Sequence, residues 1–329
     1  MKDIIDFYSQ LVIILFFYHI IFIELFAFWT LSQGLFLVLS AILGYFLHNR
    51  LSVRIVSFVN NWINLPLIFL VTYLQRGFEV SDAKIFLTSV IYNFLMFAIV
   101  LYLTREIEPF SRGSVLINSI FMNTINLPFS ILLAFRGNYE ISATVAVAMA
   151  TLRLPIVMII FTYLNKGISV IHNTTNNSII RTNLSRYLPV ITFLIGGSLH
   201  YVVGSVINVD IVNTINLILI LIVLYEFGYQ IRRVIGEMRI KDVTSKPYMI
   251  IYISRILISP ILIFLILISL GITSKIIIEQ VMVTAIMAPA ITNVVWARVY
   301  GFGTEIIVKS TLILTPISTI IAIIFLILY

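Results

Sequence analysis

The chain reads as an all-α integral membrane protein. Ten core transmembrane helices form two inverted five-helix repeats with broken, crossing helices 4 and 9, and one extra N-terminal transmembrane helix precedes them. Three observations predict this. Of 329 residues, 60% are hydrophobic and 11% charged, with a mean hydropathy of +1.09, far from the composition of soluble domains. The apolar residues fall in runs of about 20, the length that spans a hydrocarbon core at 1.5 Å per residue. Two of these runs are interrupted by proline beside asparagine, at Asn123-Thr124-Ile125-Asn126-Leu127-Pro128 and at Pro289-Ala290-Ile291-Thr292-Asn293. In lipid such breaks persist only where protein or water satisfies the freed carbonyls.

Clusters of charge, glycine and asparagine divide the sequence into eleven apolar spans. These lie near 4–29, 32–48, 55–74, 85–104, 114–135, 141–164, 187–206, 211–231, 248–270, 280–298 and 305–328. Continuous runs of this length are helices, since barrel strands are about 10 residues long and alternate in polarity. The first span follows a polar segment without a cleavage pattern and is read as a retained helix. Basic residues gather in every second loop: Arg50 and Arg54; Arg105 and Arg112; Lys166, Arg181 and Arg186; and Arg232, Arg233, Arg239, Lys241 and Lys246. The positive-inside rule therefore places the N-terminus in the cytoplasm and the C-terminus outside a multi-pass cell-membrane protein. Membrane orientation accounts for the net charge of +7 without a nucleic-acid partner. The absence of cysteine excludes disulfides, thiol nucleophiles and thiolate metal sites.

Setting the extra helix (1–31) aside, ten spans divide into a first repeat (32–164), a cytoplasmic linker (165–186) and a second repeat (187–329). An odd number of spans per repeat forces the halves to enter the membrane from opposite sides. Pro128 to Pro155 and Pro289 to Pro316 both cover 27 residues, and each pair is offset from the other by 161.

The candidate substrate-binding residues cluster at the breaks: Asn123, Asn126 and Pro128 in one, Pro289, Thr292 and Asn293 in the other. Opposed half-helix N-termini would turn positive dipole ends and N–H groups toward a carboxylate near the bilayer centre. The plainer reading is a pair of kinks whose polar side chains join helices. Arg153 lies mid-span, too deep for easy snorkelling, with Ala146 and Ala150 on much the same face. It points into the bundle, to hold an anion in its fork of donors, to pair with a buried acid, or to cap broken-helix carbonyls. Arg255, seven residues into its span, reads as an interfacial anchor. Glu226, close to Arg232 and Arg233, reads as interfacial too. Asn60, Asn61 and Asn64 either line the mouth of a cavity or solvate the start of their helix.

From Met287-Ala288-Pro289-Ala290-Ile291-Thr292-Asn293 through Ala297-Arg298-Val299-Tyr300-Gly301 to Ser310-Thr311, the sequence resembles the auxin efflux carrier family. Leu43-Gly44-Tyr45, Leu65-Pro66, Asn123-Thr124 and Leu127-Pro128 follow in the family's order, so the likeness covers about 32–328. Asn126 stands where family members usually carry a glycine, and the interval from Asn-Thr to proline is shorter than theirs. The resemblance implies a fold similar to bile-acid and arsenite transporters, with a scaffold unit (32–74 and 187–231) and a moving transport unit (85–164 and 248–328). It also implies that Asn126, Pro128, Pro289 and Asn293 border the substrate, and that the substrate is a small organic anion. The expected function is secondary transport by alternating access, with neither enzyme chemistry nor a cofactor or metal. The alternative is a ligand- or lipid-binding membrane sensor of the same fold. Homodimerisation and coupling to H+ or Na+ are left open by the residues.

Overall fold

The computed structural model describes residues 39–46, 58–164, 176–203, 209–235 and 244–329. The extra helix expected over 1–31 lies outside them. Every regular element among the described residues is helical. Helix α1 covers 39–46, and α2 (Leu65–Arg76) is entered through a π-turn at Asn60–Asn64. There follow α3 (Val80–Leu103), α4 (Pro109–Ile120), α5 (Asn126–Arg136), α6 (Glu140–Leu164), α7 (Asn176–Val203) and α8 (Val209–Ile235). Helix α9 (Lys246–Ser269) contains a second π-turn at Ser254–Ile258, and α10 (Lys275–Ile286), α11 (Asn293–Val299) and α12 (Thr304–Leu328) complete the chain. Four of these, α3, α6, α9 and α12, are long and apolar enough to cross a membrane. Helix α7 starts at Asn176, inside the expected linker, so that its first turns are polar and its apolar part follows from Tyr187.

The expected spans 114–135 and 280–298 are each two shorter helices. Residues 121–125 separate α4 from α5, and residues 287–292 separate α10 from α11. Glycines in the left-handed region end both second pieces, Gly137 at φ 73° after α5 and Gly301 at φ 71° just past α11, where a side chain would be strained.

Element lengths recur along the chain. Helices α3 and α9 each have 24 residues, α4 and α10 each have 12, and α6 and α12 each have 25. The starts of α3 and α9, α4 and α10, α5 and α11, and α6 and α12 are 166, 166, 167 and 164 residues apart. The proline offset of 161 is therefore not the spacing of the elements. Pro128 sits in the first turn of α5, where a missing N–H costs nothing because that N–H has no intrahelical partner. Pro289 lies within the break itself.

Contacts between loops and helix ends fall into two groups. Lys246 pairs with Glu106, and Ser114 Oγ donates to the Gly303 carbonyl at 2.8 Å. In the other group, Arg136 pairs with Glu279, Gln280 donates to Asn138, and Lys275 stands 5.1 Å from the Tyr329 ring centroid. Among the described residues these ion pairs and hydrogen bonds stay within one group or the other, as expected of helices running back and forth between two faces.

Apolar side chains form two cores. One, built around Tyr92, Leu116, Phe121, Met149, Ile251, Leu267 and Trp296, draws only on residues from Ile85 to Ile160 and from Ile250 to Leu314. The other joins α2 and α8, through Ile68, Phe69, Tyr73, Ile220 and Val223, to Phe129, Leu132, Ala146, Met287 and Ala322. Within the α1, α2, α7 and α8 group, packing depends on close backbone approach. A Cβ on Gly44 would lie 1.9 Å from the Tyr225 carbonyl oxygen of α8, and one on Gly196 would lie 2.5 Å from that of Leu70 in α2. Small residues at such crossings substitute for the hydrophobic drive that is missing between helices in lipid.

The α2–α3 corner is polar and mostly buried. Glu79 N–H donates to Asp82 Oδ2 at 2.9 Å in a capping box. Arg76 lies 2.9 Å from Asp82 Oδ1 and donates through Nε to Glu79 at 3.2 Å. Thr144 Oγ1 of α6 donates to Asp82 at 2.7 Å and shares a hydroxyl hydrogen bond with Tyr73. The Arg76 bond holds the Glu79 carboxyl below its ordinary pKa of 4.5. A depressed carboxylate stabilises the fold above its unfolded pKa, and the contribution disappears as pH falls through the folded value. Acid unfolding in detergent is expected to steepen below about pH 4.5, and Glu79→Gln is expected to flatten that limb.

Candidate functional site

The two breaks meet. Asn123 N–H donates to the Ala288 carbonyl at 2.8 Å, and Ala290 N–H donates to the Phe121 carbonyl at 3.0 Å. These bonds flank an isolated antiparallel bridge between Met122 and Pro289. The bridging residues form the pair of an antiparallel ladder that exchanges no hydrogen bond with each other, so the missing N–H of Pro289 leaves nothing unmade. Phe121 and Ala288, like Asn123 and Ala290, are 167 residues apart, so the two bonds join positions of equal spacing along the chain.

The polar groups released at the breaks find specific partners. Asn123 Oδ1 accepts from Asn126 N–H at 3.1 Å and Ile125 N–H at 3.4 Å, closing the start of α5. Asn293, Val294 and Val295 donate their N–H groups to the carbonyls of Ala290, Ile291 and Thr292 at 2.9 to 3.1 Å. Both half-helix N-termini thus bond much of their own N–H set, and the polarity offered at the surface comes largely from side chains. At the C-termini, Arg255 Nη2 donates to the carbonyls of Ala285 at 2.9 Å and Met287 at 2.7 Å. Its Nη1 donates to Tyr92 Oη at 2.7 Å, Ser259 Oγ at 3.0 Å and the Ser119 carbonyl at 3.5 Å. Arg255 is 1% exposed, so it is a buried clamp rather than the interfacial anchor its place in the span implied.

A cavity of about 280 Å³ opens beside the crossing, close to the ~300 Å³ lower bound for small-molecule sites. One wall comes from the breaks and α6: Asn123, Thr124, Asn126, Thr292, Ala146, Ala150 and Arg153. Arg153 Nη1 donates to Thr292 Oγ1 at 3.0 Å, and its guanidinium lies 5.3 Å from the Phe121 ring centroid. The facing wall contains Asn60, Asn61, Tyr187 and Glu226, and Leu65, Phe69, Leu154, Val295 and Trp296 supply apolar surface.

Four of the seven residues singled out by sequence, Asn123, Asn126, Arg153 and Thr292, line this cavity. Pro128, Pro289 and Asn293 do not. The two prolines shape the backbone, and Asn293, fully buried, donates to Asn118 Oδ1 at 3.0 Å and the Phe121 carbonyl at 2.9 Å. Asn118 in turn donates to Ser310 Oγ at 2.8 Å and Thr311 Oγ1 at 3.2 Å, tying α4, α11 and α12 together.

Sequence reasoning underweighted the facing wall. Glu226 is 4% exposed and accepts from Asn60, whose Oδ1 accepts from Asn64 at 2.7 Å; Asn64 also donates to the Leu219 carbonyl at 2.9 Å. The π-turn at Asn60–Asn64 carries this relay, and an asparagine cluster ahead of Pro66 was its only signal in the sequence.

Comparison with known protein families finds no matching family model, and comparison with curated proteins likewise finds no match. The geometry separates two substitutions. Asn293→Ala takes the donor from buried Asn118 Oδ1, while the Phe121 carbonyl keeps Ala290 N–H, and should destabilise the fold by about 1–3 kcal/mol. Asn126→Ala, at a half-buried cavity position, should leave the unfolding midpoint in detergent nearly unchanged while weakening ligand-induced thermal stabilisation.

Proposed function

We propose that this chain is a membrane carrier for small organic anions, working by alternating access around the crossed breaks as in the auxin efflux carrier family it resembles. The observation that carries the reading is the cavity beside the crossing, with Arg153 and Thr292 on one wall and Asn60 and Glu226 on the other. Arg153, which donates to Thr292 at 3.0 Å, brings to the cavity wall the planar guanidinium chemistry that recognises a carboxylate or a similar anion, and the apolar lining accommodates an organic body.

An inverted repeat is supported by reciprocity. Ser114 of α4 bonds the residue before α12, and Gln280 of α10 accepts from Ile141 and Ser142 N–H at 3.0 and 3.2 Å, holding the start of α6. These two residues are 166 apart and do matching work at opposite ends of the bundle. The division into a moving and a static unit is supported by the cores, because one is confined to the proposed transport unit while the other joins it to α2 and α8.

In the orientation drawn from loop charge, the cavity reaches the cytoplasmic ends of α2, α7 and α8, whereas the Arg76–Asp82–Thr144 cluster closes the outer end. This conformer is then inward-facing. Proteoliposomes loaded with organic anions test the carrier reading. Arg153→Gln should reduce anion-dependent counterflow at least tenfold, the equivalent of about 1.4 kcal/mol, while the protein remains monodisperse. Saturable binding without counterflow for any anion that binds would instead indicate a sensor.

With no native cysteine, Ala150→Cys reports access to the cavity directly. A membrane-impermeant thiol reagent should label it from the cytoplasmic face. Adding Arg76→Ala should raise labelling from the outside. Equal labelling from both faces in the parent would contradict the inward-facing assignment.

A further inference from the structure

We propose that Arg255 is a tethered cation, its guanidinium occupying the position at which two crossed half-helix C-termini would otherwise hold a free monovalent cation. Helices α4 and α10 both end at the crossing, and each directs the negative end of its dipole and its last carbonyls there. In membrane proteins with broken helices, such ends and the unwound carbonyls beside them coordinate cations. Here Arg255 donates to Ala285 and Met287 on the α10 side and to Ser119 on the α4 side, so one planar group serves both ends. Among the described residues no carboxylate lies within ion-pair distance of it. Its charge is therefore balanced by carbonyl dipoles, as that of a bound metal cation would be. The π-turn at Ser254–Ile258 is built around this residue, the kind of local widening that recurs at functional positions. The clamp has no repeat image. The residue 166 positions earlier is Ser89, whose hydroxyl bonds its own helix at Ile85.

The consequence is a crossing completed by the chain itself, with no dissociable ion at that point. This deepens the carrier reading, since it implies that flux does not draw on a Na+ gradient through this position.

The test is thermal unfolding of the full chain in detergent at constant ionic strength. The parent should melt at the same temperature in Na+, K+ and choline. Arg255→Ala should lose several degrees and recover at least half of the loss in millimolar guanidinium or methylguanidinium, with urea as the uncharged control. Arg255→Lys, whose point charge cannot span both half-helices, should fall between the two. Selective stabilisation of the parent by Na+ overturns the proposal even if Arg255→Ala cannot be purified. Failure of guanidinium to act beyond urea on Arg255→Ala also overturns it. The melting assay needs no solute, so intact rescue with no flux would count against the carrier reading alone. Lost rescue with intact flux would count against the tethered cation alone.

Discussion

The centre of the molecule depends on two reciprocal hydrogen bonds, Asn123 N–H to Ala288 and Ala290 N–H to Phe121. A helix broken inside a bilayer exposes backbone groups that lipid cannot solvate, at a cost of several kcal/mol each. One break alone would leave that cost standing. Two breaks crossing antiparallel pair each other's backbone, and the residual donors and acceptors are taken up by Asn123, Asn293 and Arg255. The cavity exists because the chain at the crossing is extended, leaving room on one side that a helix would have filled.

Helix spacing recurs along the chain, but the polar side chains do not recur with it. Helix starts recur 164 to 167 residues apart and the crossing bonds 167 apart, yet Arg153, Glu226 and Arg255 each lack a like-charged residue at the corresponding spacing. At the carbonyl end of α4 a neutral amide, Asn293, serves Phe121, whereas at the end of α10 a guanidinium serves Ala285 and Met287. Backbone geometry can be inherited from a duplicated pattern.

The helical class and the presence of both breaks were legible in the sequence because hydrophobic runs and proline–asparagine interruptions reflect bilayer thickness and backbone satisfaction directly. The register of the breaks was not. Pro128 and Pro289 look equivalent as letters, but a proline in a first turn and a proline in a non-bonded bridge position solve different problems, and the residue opposite Pro289 is Met122. Arg153 was legible because it is far from either end of its span. Arg255 and Glu226 were misread for the complementary reason. Each lies close enough to a span end to suggest snorkelling, and only tertiary packing shows that Ala285, Met287 and Asn60 meet them in the interior.

If α3–α6 and α9–α12 move as one body against α2, α7 and α8, the interface they slide along is the second core and the Arg76–Asp82–Thr144 cluster. The apolar part can re-pack at modest cost, since lipid-like surfaces slide without losing solvation. The charged part cannot. Separating a buried ion pair without solvating it costs roughly 3–5 kcal/mol, so the cluster can open only as water enters from its own side. The same step would draw the Arg153–Thr292 wall away from Glu226 and Asn60 on the opposite side of the cavity. Opening one end and dismantling the site at the other thus become a single event. On the carrier reading, the coupling would lie in how polar groups are distributed along α2, with Asn60 just ahead of its start and Arg76 at its end.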